Sequence, residues 1–464
     1  MIKDVFRVFS TNLIKFFVAL IASFLIPALL SVDEYGYYKV FGLYASYIGI
    51  LHFGYCDGLF LSYGGKNIDE VKKNELANQQ FTIVFFEFII SIIPILIGII
   101  TKNIIIVLLG LNIVPAIMIT FYTFLYQSTG DFKKYAKVYN FQSLATLIIN
   151  SILVFIIKPN SGIVFACAVV FVYYLTFIIA AFSFNKRYKV GKGKFKLSYF
   201  PKYCFSGILL TIGNLSFLLF ESIDRWFVKG LLGLTFFAYY SFAGQLLSAL
   251  NMFANPIGMT LFSYLSKEKN KEFEYTIKTS IIAILFFMLN GVFVLRLIVN
   301  TYFSKYEPAK SVIIILFLAQ VFLLLNMIVY VNLYKTYMKQ KQYFISLIVV
   351  IIISIVLNAL FYYFIDKSMI SISVATLVSM IIWSVINCNN FKDLVLTKEN
   401  MLFVFLMMIM YLITSFLLNE LIGLLVYFVI WLVALVLLMP KVYNFLTQKI
   451  HGIFYKCKLL LFKS

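Results

Sequence analysis

Long apolar runs recur along the whole of this 464-residue chain. A run of about 18 or more apolar residues can cross the hydrocarbon core of a membrane as an α-helix. Fourteen such runs can be marked, centred near residues 19, 50, 90, 115, 148, 172, 216, 249, 287, 322, 354, 380, 409 and 430. Since 62% of the residues are hydrophobic and 12% are charged, a water-soluble surface cannot be built from them. The sequence predicts an all-α polytopic membrane protein with about 14 transmembrane helices.

Lys and Arg are unequally distributed between the loops that join these runs. With the N-terminus placed in the cytoplasm, four of the 39 basic residues lie within or at the ends of spans, six lie in outside loops, and the remaining 29 lie inside. This asymmetry follows the positive-inside rule and predicts that both termini are cytoplasmic. It explains the formal charge of +20 by topology and attraction to anionic membrane lipid, without a nucleic-acid partner. The six outside residues are Lys102, Lys158, Lys229, Lys305, Lys310 and Lys367.

The five cysteines are scattered along the chain and form no C-x-x-C pair. This spacing argues against a disulfide framework and against a metal site. We therefore expect no metal and no cofactor.

The chain also contains a weak internal repeat. A shift of 202 residues aligns EYGYYKVFG (34–42) with FFAYYSFAG (236–244), and a shift of 208 aligns residues 126–135 with 334–343. Each half holds six predicted spans and begins inside, so the repeats run in the same direction. Parallel repeats of this kind are typical of transporters that bind their substrate between two lobes.

The longest internal connection, residues 185–202, carries seven Lys or Arg residues and divides the two halves. We interpret it as the linker between lobes. The sequence therefore predicts an N-lobe with helices 1–6 over 1–195 and a C-lobe with helices 7–12 over 196–397. Residues 398–464 hold helices 13 and 14 and a basic cytoplasmic tail.

Span 7 carries Glu221, Asp224 and Arg225 at helical spacing, so that all three lie on one broad face. Each charge exposed to lipid would cost roughly 2.5–3.5 kcal/mol, so they must face protein or water. One interpretation is an internally neutralised ion pair that fixes helix packing. The other, which we favour because the three leave one negative charge unbalanced, is a cluster that lines a cavity. Asn214 lies two turns below on the same side.

Four further charges lie in other spans. Lys15 is about halfway into span 1, one turn beyond Asn12. Asp57 lies in span 2 within GYCDG, whose small residues allow close helix approach, and it either lines a site or packs and reaches cytoplasmic water. Glu87 is near the centre of span 3, where we expect a buried partner or proton handling. Arg296, near the outer end of span 9, either meets substrate or extends to the headgroups.

The chain resembles a known family in three places: EYGYY after span 1, FGYCDG in span 2, and ESIDRWFVKGLLG with AYYSFAG around spans 7 and 8. These segments and the two-lobe pattern are similar to those of the polysaccharide flippases of the O-antigen type. That family belongs to the multidrug/oligosaccharidyl-lipid/polysaccharide (MOP) exporter superfamily.

The resemblance implies a non-enzymatic, ion-coupled flippase in a bacterial plasma (inner) membrane that works by alternating access. Its substrate would be an undecaprenyl-diphosphate-linked oligosaccharide, for O-antigen lipopolysaccharide or capsule, moved from the cytoplasmic to the outer leaflet. A proton or sodium ion would be the coupling ion, and a polysaccharide polymerase is a candidate partner. Candidate substrate-binding residues are Arg225, Lys15, Arg296, Asn12 and Asn214, and candidate ion-coupling residues are Glu221, Asp224, Asp57 and Glu87.

Two other functions stay open at this stage. A drug or small-cation antiporter of the same superfamily would favour an acidic, aromatic cavity, whereas this chain also places basic residues in its spans. A membrane enzyme of polysaccharide assembly would need catalytic groups on a sizeable loop, but the outside loops are short. The two histidines, His52 and His451, are better explained by packing or local hydrogen bonds.

The charge asymmetry predicts which loops are accessible from outside the cell. In a cysteine-free background, single cysteines at Lys192 and Lys458 should be shielded from a membrane-impermeant thiol reagent in intact cells, while one at Lys305 should react. Labelling of the Lys192 position from outside would contradict the predicted orientation.

Overall fold

The computed structural model of the protein describes residues 2–67, 70–267 and 270–449, and these ranges contain helices and no β-strand. The prediction of an all-α fold is therefore confirmed. The end of the predicted basic tail, residues 450–464 with His451 and Lys458, lies outside the described residues.

A first compact unit ends at Phe242. Short turns and a 3₁₀ segment at Ile48–Ile50 join its helices, and a π-helical turn at Leu153–Ile157 extends the sixth. The helices are α1 (Ile2–Leu29), α2 (Val32–Ala45), α3 (Tyr55–Tyr63), α4 (Lys73–Ile100), α5 (Ile104–Ser128), α6 (Phe132–Ile152), α7 (Gly162–Tyr188), α8 (Tyr199–Leu231) and the first residues of α9 (Leu234–Lys267).

A second compact unit begins at Ala243, within α9. Its central helix is α12, which is buried from Val312 to Leu325 and continues through a π-helical turn at Asn326–Tyr330 into α13. The helices are α10 (Lys271–Met288), α11 (Gly291–Tyr302), α12 (Lys310–Leu325), α13 (Val331–Thr336), α14 (Gln340–Phe364), α15 (Met369–Asn390), α16 (Lys398–Leu417) and α17 (Glu420–Leu438).

Side chains just before several helices satisfy the first free backbone N–H groups, as is usual at helix N-termini. The Asn103 side chain accepts a hydrogen bond from the N–H of Ile105 at the start of α5. Asp131 accepts one from Lys134 at the start of α6, and Ser161 caps α7 in the same way. The polar residues between the apolar runs thus decide where these helices begin.

Twelve helical segments within the described residues are long and apolar enough to cross a membrane, so this is a multi-pass membrane protein. They match twelve of the predicted spans. The region centred near residue 249 is occupied by the 34-residue helix α9. The region centred near residue 50 is not one continuous helix, because the backbone turns left-handed at Phe53 (φ 49°) and Gly54 (φ 91°) and separates α2 from α3.

Helix α8 packs against α3 within the first unit, through three glycines. A Cβ atom at Gly58 would overlap the backbone oxygen of Tyr203, and one at Gly207 would overlap the backbone oxygen of Gly54. The two backbones are therefore in direct contact, as small residues permit between membrane helices.

The compact units are defined by such packing. They do not test the predicted lobes, 1–195 and 196–397, which come from the sequence repeat.

This contact predicts unequal effects of two glycine substitutions. Gly58→Ala should push α3 and α8 apart and lower stability by about 1–3 kcal/mol, the usual effect of overpacking a close contact. Gly213→Ala in α8 is the matched control, since a Cβ there meets no atom within 4 Å. The measurement is the thermal midpoint of the purified protein. Equal midpoints for the two variants would mean that the close approach contributes nothing to stability.

Candidate functional site

Four charged side chains of α2 and α8 lie near one another in the first unit. Arg225 of α8 is close enough to Lys39 of α2 and to Glu221 for their charges to interact, and Asp224 is the fourth member. All four side chains are half-buried. The group therefore holds two acidic and two basic side chains, one basic side chain more than sequence analysis assigned to it. We call these four residues the charge cluster.

Asp224 is held in place by α9. The Tyr240 hydroxyl donates a 2.7 Å hydrogen bond to Asp224 Oδ2, while Oδ1 accepts one from the backbone N–H of Arg225. Sequence analysis did not assign Lys39 to the cluster. Lys39 comes close to Arg225 because of how α2 packs near α8, and helical spacing within one segment does not show which helices are neighbours.

An aromatic group lies beside the charge cluster, one helical position further along α8. The rings of Trp226 and Tyr44 are stacked, with centroids 5.5 Å apart and planes 22° from parallel. Trp226 Nε1 donates a 2.9 Å hydrogen bond to the Tyr47 hydroxyl, which is also bonded to Ser222 Oγ. Lys229 Nζ lies 4.9 Å from the Tyr44 ring centroid. Sequence analysis did not identify this group, although ESIDRWFVKG holds three of its members.

A buried carboxyl lies where α3 crosses α8. Asp57 is 5% exposed and accepts a hydrogen bond from the Thr211 hydroxyl through Oδ2. His52 Nε2 lies 3.9 Å from the same oxygen, while its Nδ1 accepts from the N–H of Gly54. The interpretation of His52 as a locally hydrogen-bonded residue agrees with this geometry. Asp57 is packed between helices at this crossing.

Glu87 of α4 is the second buried carboxyl. It is fully buried, and neither of its carboxyl oxygens has a hydrogen-bond partner among the described residues. Cys56 and Cys204 are close enough to interact with its charge, but neither supplies a positive group. A bare carboxylate in such a place costs several kcal/mol unless a cation accompanies it. The surroundings of Glu87 therefore suit a group that takes up a cation.

The other predicted substrate residues of the first unit lie in α1 and α8. Lys15 Nζ lies 3.0 Å above the centroid of the Tyr139 ring of α6, a cation–π contact that stabilises a charge away from bulk water. Asn12 and Asn214 are exposed. The described contacts do not bring Lys15, Asn12 or Asn214 into the charge cluster.

Arg296 belongs to the second unit, where it joins α11 to the turn between α16 and α17. Its Nη2 lies 3.2 Å from Glu420 Oε1, and its Nη1 donates to the backbone oxygen of Ser415. Asn300 donates to the same Glu420 oxygen at 2.7 Å. These contacts give Arg296 a packing role. Sequence analysis did not identify Glu420 as its partner. Its role in substrate binding stays a prediction.

Solved structures, but neither family models nor curated proteins, resemble this chain. No family model matches the chain, and no curated protein matches it. The solved structure of lipid II flippase MurJ, in an inward closed conformation, is 14% identical with a TM-score of 0.69, and the match covers 96% of this chain and 100% of that one. An inward-facing multidrug resistance MATE family transporter of the MOP superfamily is 13% identical with a TM-score of 0.58, over 83% of this chain and 95% of its own. The protein therefore has the fold of MOP-superfamily transporters.

The isolation of Glu87 predicts how two conservative changes in α4 differ. Glu87→Gln keeps the shape of the side chain and cannot ionise, so the thermal midpoint should stay the same or rise. Glu75→Gln should lower it, because Glu75 Oε1 accepts hydrogen bonds from Tyr63, Gln79 and Tyr203 and bonds to a carboxylate are strong. A large loss of stability in Glu87→Gln would reveal a partner for the Glu87 carboxylate.

Proposed function

We propose that the protein is a flippase for an undecaprenyl-diphosphate-linked oligosaccharide, an O-antigen or capsule repeat unit. It moves this substrate from the cytoplasmic to the outer leaflet of a bacterial plasma membrane. The observation that carries the proposal is the neighbouring pair of basic side chains, Lys39 of α2 and Arg225 of α8, in the first unit. The fold shared with a flippase of a lipid-linked substrate supports it.

A diphosphate that leaves water needs cationic partners, and this pair can supply them. The Arg225 guanidinium can bind two phosphate oxygens at once and stays charged when it is buried. Lys39 adds a second basic group from α2, and a bound phosphate would favour its charged form. While the site is empty, Glu221 and Asp224 balance these charges, and Asp224 is itself oriented by Tyr240. The acidic residues thus limit the cost of holding two cations in the membrane.

The further substrate contacts in this proposal are Lys15, Asn12, Asn214 and Arg296. Asn12 and Asn214 are exposed and can donate hydrogen bonds to sugar or phosphate. Lys15 can leave the Tyr139 ring to meet an anion, since a cation–π contact of this kind is worth only about 0.5–2 kcal/mol. Arg296 would have to share its charge with Glu420. Arg225 and Lys39 therefore carry the main role.

Ion coupling in this proposal falls to Glu87 and Asp57, with Glu221 and Asp224 responding to the substrate. Glu87 has no counter-charge among the described residues, so binding a proton or a sodium ion would remove its electrostatic cost. Release of that cation on the other side of the membrane would drive the return step. The predicted lobes, 1–195 and 196–397, would rock to alternate access, with 398–464 outside the repeat. Both termini would be cytoplasmic, and a polysaccharide polymerase would be the partner that uses the flipped product.

A second candidate is a small-cation or drug antiporter of the same superfamily. The fully buried Glu87, which has no hydrogen-bond partner in the part of the chain that the structure describes, favours it, because a carboxyl in an apolar site suits a cationic drug as well as a coupling ion. The neighbouring cations Arg225 and Lys39 argue against it, since they would repel such a substrate. Reconstituted vesicles separate the two: exposure of the lipid-linked sugar on the opposite leaflet supports the flippase, and proton-coupled uptake of organic cations supports the antiporter.

Substitutions of Arg225 test the substrate role. Arg225→Lys keeps the charge but loses the two-pronged geometry, so it should retain partial transport per folded molecule. Arg225→Ala should lower transport by about 30-fold or more, the usual effect of removing one member of a buried charge pair. Transport is measured as flipped lipid-linked oligosaccharide divided by the amount of folded protein.

A double variant separates binding from packing. Asp224→Asn with Arg225→Gln replaces a charged pair by neutral groups, which buried sites often tolerate. If Arg225 binds the diphosphate, this variant should fold and fail to transport. Near-normal transport by the folded double variant would show that the pair only supports packing.

A further inference from the structure

The stacked rings of Tyr44 and Trp226, which we call the aromatic platform, are partly open. Trp226 is 38% exposed and Tyr44 is half-buried, so ring surface remains available to another molecule. Of the three tryptophans in the chain, Trp383 is fully buried and Trp431 donates its Nε1–H to a backbone oxygen in the second unit. Trp226 is the one that lies beside the charge cluster.

Hydrogen bonds fix the platform before any ligand arrives. The Tyr47 hydroxyl accepts from Trp226 Nε1 and is bonded to Ser222 Oγ one turn earlier in α8. The indole plane therefore has a set orientation relative to Tyr44. Ordering of this kind lowers the entropy cost of binding.

Polar groups surround the platform on one side. The Lys229 ammonium group lies 4.9 Å from the Tyr44 ring and 6.0 Å from the Trp226 ring. Its three N–H donors can meet hydroxyl groups that rest on the rings. Arg225, which binds the diphosphate in the proposed function, immediately precedes Trp226 of the platform in α8.

We propose that Tyr44 and Trp226 form a carbohydrate subsite that holds the first sugars of the substrate. This inference rests on the proposed function, because it takes Arg225 as the diphosphate ligand. A pyranose ring presents C–H groups on one face and hydroxyl groups around its edge. The C–H face packs on the aromatic platform, as C–H groups do on aromatic rings, and the edge hydroxyls bind Lys229.

The alternative occupant is lipid, because tryptophan often lies at the membrane interface. The described contacts favour sugar. An interfacial anchor needs one polar end, whereas Trp226 is stacked on a second ring and donates to the Tyr47 hydroxyl, which is itself bonded to Ser222. It also lies between two basic residues of α8, Arg225 and Lys229. This combination of a flat apolar face and a cationic, hydroxyl-bearing edge matches a charged glycolipid better than a hydrocarbon chain.

The test compares two probes on the purified, nanodisc-embedded protein: the intact lipid-linked oligosaccharide pool extracted from the source cells, and undecaprenyl diphosphate without sugar. Binding is followed by thermal stabilisation, and contact with the platform by tryptophan fluorescence. The intact pool should give a saturable fluorescence change that undecaprenyl diphosphate does not give. The change should persist in the matched control Trp431→Phe and disappear in Trp226→Phe.

A second variant keeps the test informative if Trp226→Phe folds poorly. Tyr44→Leu removes one ring of the platform and should weaken binding of the intact pool about 3- to 10-fold, the value of one aromatic pair, while binding of undecaprenyl diphosphate stays unchanged.

Three outcomes would overturn the subsite. If the intact pool binds without any change in Trp226 fluorescence, the flippase proposal stands and the subsite is wrong. If brominated phospholipid quenches Trp226 and the sugar-bearing pool does not protect it, the platform faces lipid. If neither probe stabilises the protein while Arg225→Ala transports normally, the proposed function fails as well.

Discussion

The contact between α3 and α8 determines what the first unit can do. Gly54, Gly58 and Gly207 remove the side chains that would otherwise keep the two backbones apart. The helices then approach closely enough for Thr211 to reach Asp57. The same contact anchors α8, whose other end carries the charge cluster. A side chain at Gly58 or Gly207 would force this crossing apart and separate Thr211 from Asp57.

Charges in an apolar environment must be compensated, and the structure uses several means. The charge cluster places two acidic beside two basic groups, Arg296 pairs with Glu420, and Lys15 lies against the Tyr139 ring. Each arrangement lowers the cost of a buried charge through a nearby opposite charge or a ring face. Glu87 differs, since its oxygens have no partner among the described residues. In our proposal this difference marks the residue whose partner is a transported ion.

Much of this architecture could be predicted from the sequence, because apolar length alone sets most helix positions. The break in the helix near residue 50 could not be predicted, since hydropathy does not reveal the left-handed turn at Phe53 and Gly54. The candidate residues of span 7 could be selected from the sequence, because the free-energy cost of placing a charge in lipid can be judged for each residue separately. Lys39 and the Tyr44–Trp226 stack were missed because they depend on which helices are neighbours. Pairing of helices follows from packing, which a single sequence does not encode in any one segment.

Helix α8 is the element shared by everything that the proposal requires. Thr211 binds the Asp57 carboxyl in the first half of the helix, and Arg225 and Trp226 lie toward α2 about 21 Å further along the helix axis, at 1.5 Å per residue. Coupling between an ion and a substrate needs an element whose position both can bias. In the proposed mechanism, occupation of the carboxyl site alters the α3–α8 contact, and binding of a diphosphate alters the α2–α8 contact. A rigid helix transmits a small displacement from one contact to the other, so the two sites can be coupled without touching.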